Sequence, residues 1–85
     1  MEFVFDPAKD AANIAKHGVS LADFRGFDTE AKIRIDDRYD YVETRYRAWG
    51  RIGGRGFCVV FTFRETTTRV ISFRRAHDKE MRRYE

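Results

Sequence analysis

The chain has a single cysteine, Cys58, so no internal disulfide can form. Flanked by Phe57, Val59, Val60 and Phe61, it reads as a buried small hydrophobe. One lone thiol fits a cytoplasmic setting. No stretch approaches the roughly 20 apolar residues of a membrane span, and no charged-then-apolar leader opens the sequence. Metal-ligand patterns are also missing. His17 and His77 are the only histidines, and neither they nor the carboxylates show a ligand spacing, so no metal and no cofactor is expected. The glycines at positions 50, 53, 54 and 56 lack the lysine of a phosphate loop and a helix after it, so they read as a hairpin. Nothing marks a nucleophile elbow around Ser20 or Ser72. Repeats, linkers and low-complexity tracts are absent too.

What is present fits one small folded domain spanning 1–85. A chain of this length buries only about 60% of its unfolded surface, so its core is small. An aromatic content of 15% argues against disorder. The net charge of +3 hides an asymmetry. Residues 1–43 carry six Lys/Arg and ten Asp/Glu, whereas residues 44–85 carry eleven and four. Thirteen of the 17 basic residues are arginine, whose planar fork suits phosphate better than the point charge of lysine. A basic, arginine-dominated half points to a phosphate-rich partner such as nucleic acid.

Glu2–Phe5 predicts a short strand. Asp6 and Pro7 predict a helix start, and Gly18 its end after His17. The alanines of this helix are expected to face the sheet, with Lys9, Asn13, Lys16 and His17 along one polar edge. Ser20 and Asp23 predict a second helix over Leu21–Phe27. Alternation then predicts strands at Lys32–Ile35, Glu43–Ile52, Phe57–Arg64 and Arg69–Arg75, and residues 76–85 a short basic helix. The order β-α-α-β-β-β-β-α is an α+β fold: an antiparallel meander packed on two N-terminal helices. Ile33, Ile35, the phenylalanines of the fourth strand, Ile71 and Phe73 are expected beneath those helices. The opposite face is expected to be open and to gather Lys32, Arg34, Arg45, Arg47, Trp49, Arg51, Arg64, Ser72 and Arg74, while Arg75 projects to the other side.

Several arginines, an aromatic ring and a hydroxyl on one rigid face suit single-stranded nucleic acid. Cleavage of RNA there would use the 2′-hydroxyl as nucleophile, with arginines stabilising charge on phosphorus. His17, Lys16, Glu43 and Tyr84 are the available proton-transfer groups. These residues leave both a nuclease and a non-catalytic nucleic-acid-binding module or corepressor open.

Two separated motifs carry a resemblance. Phe5-Asp6-Pro7-Ala8-Lys9, Asn13 and Lys16-His17-Gly18-Val19-Ser20 form the first; Gly50-Arg51, Arg69–Ala76 and Glu80–Glu85 form the second. Together, in this order, they resemble the BrnT toxin family. The resemblance implies a RelE-like ribonuclease that cleaves RNA without metal, as the toxin of a type II toxin–antitoxin pair. It also implies a BrnA-like antitoxin with a ribbon-helix-helix DNA-binding domain, and operator DNA bound through the complex. Carried over by position, the motif residues are Lys9, Asn13, Lys16, His17, Arg45, Ser72, Arg74 and Arg75. On this reading His17, Lys16, Arg45 and Arg74 are catalytic, and Lys9, Asn13, Arg47, Trp49, Arg64, Ser72 and Arg75 bind RNA.

Overall fold

The computed structural model describes residues 2–85. Five strands make one sheet: β1 (Glu2–Val4), β2 (Lys32–Ile35), β3 (Tyr46–Ile52), β4 (Arg55–Arg64) and β5 (Thr67–Arg75). Across the sheet the order is β1-β5-β4-β3-β2. The expected antiparallel meander runs from β2 to β5, and β1 adds to its far edge, parallel to β5. Two α-helices complete the α+β fold, α1 (Pro7–His17) before the meander and α2 (Asp78–Tyr84) after it.

The caps of α1 are those its sequence announces. The Asp6 carboxylate accepts from the Ala8 N–H at 2.9 Å, Pro7 takes the first turn, and Gly18 closes the helix with φ 76°. The face it presents to the sheet is not the expected one. Ala8, Ala11, Ala12, Ile14 and Ala15 lie exposed, and Asn13 is buried. The Asn13 amide nitrogen donates to the carbonyls of Val19 (2.9 Å) and Phe73 (2.8 Å), and its oxygen accepts from the Phe73 N–H (3.2 Å). β1 pairs with β5 only as far as Arg69, so the edge of β5 at Phe73 has no strand beside it. Asn13 supplies the missing ladder bonds there. Asp10 adds to this docking by accepting from Ser20 Oγ (2.9 Å) and the Leu21 N–H (2.7 Å). Polar side chains, rather than alanines, hold α1 in place.

The second N-terminal helix expected over Leu21–Phe27 shrinks to a single 3-10 turn, Leu21–Asp23. Ser20 caps it as expected, accepting from the Ala22 N–H at 3.1 Å. Phe24 then turns extended (φ −81°, ψ 115°), and Gly26 adopts φ 109°. So short a helix gains little from its own hydrogen bonds. Opening it lets Phe24 reach Phe3, Phe27 and Phe73, with ring centroids 5.1, 5.2 and 5.3 Å away. The turn does not reach β2, so Ile33 and Ile35 remain 58% and 63% exposed instead of buried. Ile33 borders an apolar groove with Phe3, Phe27, Phe61 and Phe63. β3 begins at Tyr46 rather than Glu43, and the Thr44 carbonyl just before it accepts from the Thr62 hydroxyl at 2.6 Å.

A bulge redirects β5. Val60 pairs with Ser72 and Phe61 with Val70, which leaves Ile71 as an extra residue. Val70 and Phe73 therefore both reach the core with Leu21, Phe24, Ala48, Val59 and Phe61. The expected inward pair, Ile71 and Phe73, is split by this phase shift.

The opposite sheet face is only partly open. α2 folds over it, packing Met81 and Ala76 on Trp49 and Cys58. Burial raises the Cys58 thiol to about 11, as suits an inert core thiol. Gly56 makes this closure possible. A Cβ there would stand 2.3 Å from Met81 Cγ and 2.5 Å from the Ala76 carbonyl oxygen. Backbone cannot yield as a side chain can, so Gly56→Ala should destabilise the fold by about 1–3 kcal/mol. Thermal melting measures this: an unchanged midpoint would show that α2 does not need the close approach.

Candidate functional site

The part of that second face left open by α2 becomes a cleft of about 290 Å³. Four elements build it. The C-terminal turn of α1 brings Lys16 and His17. β5 brings Ile71, Ser72 and Arg74 around its bulge. Cys58 and Val60 of β4 and Arg47 of β3 form the floor. The segment 36–45 closes the far side with Asp36, Arg38, Tyr39, Tyr41 and Arg45. Lys16, Arg38, Arg45, Arg47 and Arg74 thus meet one carboxylate.

That carboxylate, Asp36, is saturated. It accepts from Arg38 Nε (2.7 Å), Arg38 Nη2 (2.9 Å) and the Tyr41 hydroxyl (3.1 Å). The Arg38 hydrogen bonds hold its carboxyl at about 2, against the opposing effect of burial. Asp36 acts as a bracket for the segment: it fixes Arg38 and Tyr41, and the Arg45 guanidinium lies 4.2 Å over the Tyr41 ring. The strand pattern leaves residues 36–42 between Ile35 and Glu43 without an element, and Asp36, Arg38, Tyr39 and Tyr41 are not among the residues singled out from sequence. Spacing carries no signal for them, because contacts between residues two and five apart in an irregular segment follow neither the strand nor the helix period.

His17 has its pKa lowered, first by burial and then by Lys16 and Arg74 nearby. It is therefore neutral at physiological pH and able to accept a proton. Glu43 is a poorer base. Hydrogen bonds from Arg64 and then Arg45 hold its carboxyl below the usual range.

Of the residues singled out from sequence, the cleft brings together Lys16, His17, Arg45, Arg47, Ser72 and Arg74. Lys9 lies just outside, in a shallow depression that also borders on Ser72. Asn13 is spent on the β5 edge, and all three of its hydrogen bonds are internal, so its assignment to RNA is corrected to a structural one. Trp49 is also corrected. It is 1% exposed, stacked on Tyr84 at 4.0 Å and 8°, and its indole N–H donates to Glu80 at 2.9 Å. The expected open face did not allow for α2, which covers this ring. Arg64 pairs with Glu43 at 3.1 Å away from the cleft. Arg75 lies against the Phe57 ring, with Nε donating to the Gly56 carbonyl at 3.2 Å.

Arg74 is partly committed. Its two terminal nitrogens donate to Glu80 of α2 at 2.8 and 2.9 Å, which raises its pKa and lowers that of Glu80. This pair ties α2 to β5 at the rim of the cleft and aims the guanidinium.

No described helix is long and apolar enough to cross a membrane. No curated protein matches the chain. The family model described as "Ribonuclease toxin, BrnT, of type II toxin-antitoxin system" matches residues 5–80, a span that holds every cleft residue. A basic cleft built around a neutral histidine is consistent with that description, and the chain belongs to the BrnT family of ribonuclease toxins of type II toxin–antitoxin systems.

Proposed function

We propose that the chain is a metal-independent endoribonuclease and that the His17 cleft is its active site. The observation that carries this is His17 in one cleft with five cationic side chains, its pKa lowered by burial, Lys16 and Arg74. His17 takes the proton from a ribose 2′-hydroxyl. The 2′-oxygen then bonds to the adjacent phosphorus as the bond to the 5′-oxygen breaks. Arg45, Arg47, Arg74 and Lys16 stabilise the charge that builds on the phosphoryl oxygens. The departing 5′-oxygen takes a proton from Lys16 or from water. Products are a 2′,3′-cyclic phosphate and a 5′-hydroxyl. Lys9 and Ser72 guide the strand along the α1 edge.

A type II toxin has an antitoxin. On this reading it is a BrnA-like protein that covers the basic face, carries a DNA-binding domain and brings the complex to operator DNA in the cytoplasm. The single domain, 1–85, takes a RelE-like arrangement. Incubating purified protein with RNA in EDTA tests the catalytic claim. Cyclic-phosphate ends are expected; RNA that stays intact but bound would turn the assignment into that of a nucleic-acid-binding module.

A further inference from the structure

α2 frames a second cleft on the same side of the sheet, of about 550 Å³. It shares Arg47 and Arg74 with the first and adds Arg75, His77, Lys79, Arg83 and Tyr84, with Glu80, paired to Arg74, as the carboxylate in its wall. Tyr84 is half-buried, its inner face fixed against Trp49 at 4.0 Å. Guanidiniums of Arg34, Arg47 and Arg83 stand 5.6, 5.8 and 5.6 Å from its ring centroid. Arg47 adds an independent sign. Its Nε is buried without a hydrogen-bond partner, 3.9 Å from the Asp36 carboxylate. A buried donor in a cleft wall is costly unless a ligand brings an acceptor. The volume lies within the ~300–1,000 Å³ of ligand sites. A ring backed by Trp49 with guanidiniums over it suits a single-stranded nucleic acid, whose bases stack on aromatic faces and guanidinium planes while arginines hold its backbone.

We infer that this second cleft is a nucleotide subsite: a base flanking the scissile bond stacks on Tyr84, and Arg47 holds the phosphate that joins the two clefts. The inference rests on the ribonuclease reading. It moves base stacking from Trp49 to the ring that covers Trp49. Arg83 and Tyr84 lie just beyond the matched residues 5–80, in the last turn of α2.

Trp49 is the only tryptophan and reports on the site directly. A fully 2′-O-methylated oligonucleotide lacks the nucleophile and isolates binding from cleavage. Adding it should change Trp49 emission. Tyr84→Leu should weaken binding roughly tenfold, and Tyr84→Phe should bind as the parent does. Because Tyr84→Leu could loosen α2, the same oligonucleotide with one abasic position is measured in parallel. At the position that fills the subsite, loss of the base should weaken binding to the parent and leave Tyr84→Leu unaffected. Equal losses in both proteins, or none at any position, overturn the subsite. If the parent cuts RNA but Tyr84→Leu binds unchanged, the subsite fails alone; if the parent neither binds nor cuts RNA, the ribonuclease reading fails with it.

Discussion

His17→Ala should lower RNA cleavage by about 100- to 10,000-fold, the usual contribution of a positioned proton-transfer group. Binding of RNA should change far less, because the cations of the cleft remain. The parent's pH profile gives a second reading of the same group. A general base works in its neutral form, so the rate rises with pH through the pKa of His17. Burial, Lys16 and Arg74 lower that pKa from 6.5, so the rising limb lies below 6.5. Lys16→Ala removes a nearby positive charge and should move the limb back toward 6.5. Turnover in His17→Ala within threefold of the parent, with the limb unmoved, would remove His17 from the reaction.

Asn13→Leu should cost roughly 3 kcal/mol or more. The leucine is similar in size, but it leaves the N–H and C=O of Phe73 buried at an edge with no partner. Each unsatisfied group costs about 1–3 kcal/mol. In a domain of this size the melting midpoint should drop by more than about 10 °C. Because α1 carries Lys16 and His17, activity should fall in step with the folded fraction. Urea and thermal melts measure the loss. A midpoint within 2 °C of the parent would mean that α1 is held by something other than this clamp.

The elements that sequence made legible are those with local causes. Asp6, Pro7 and Gly18 delimit α1 correctly because capping is settled within a few residues. Alternation located the meander because period-two burial is imposed one strand at a time. Errors arose where a distant partner decides. Asn13 sits on the buried side of α1 because β1 ends early on the far side of β5. Phe24 leaves its helix because three aromatic rings wait for it. Trp49 disappears beneath α2, whose docking depends on Gly56. The arginines and histidine of the cleft were legible as chemistry. Asp36 was not, because a saturated bracket looks like any other loop carboxylate until Arg38 and Tyr41 close on it.

The extra residue in β5 also decides how this stretch can change length. Upstream of Ile71, Val70 is in phase with the core; downstream, Ser72 and Arg74 are in phase with the cleft. Ile71 is the spacer between two reading frames on one strand. Deleting it would leave a smoother ladder with both halves still in phase, Val70 and Phe73 toward the core and Ser72 and Arg74 toward the cleft, and would remove the local bend that the bulge adds. Between Val70 and Phe73 the strand can therefore shed one residue in phase, whereas a one-residue loss elsewhere on β5 would turn one half to the wrong side. Insertions are absorbed more cheaply at the exposed Glu65–Thr66 turn, where no phase has to be kept.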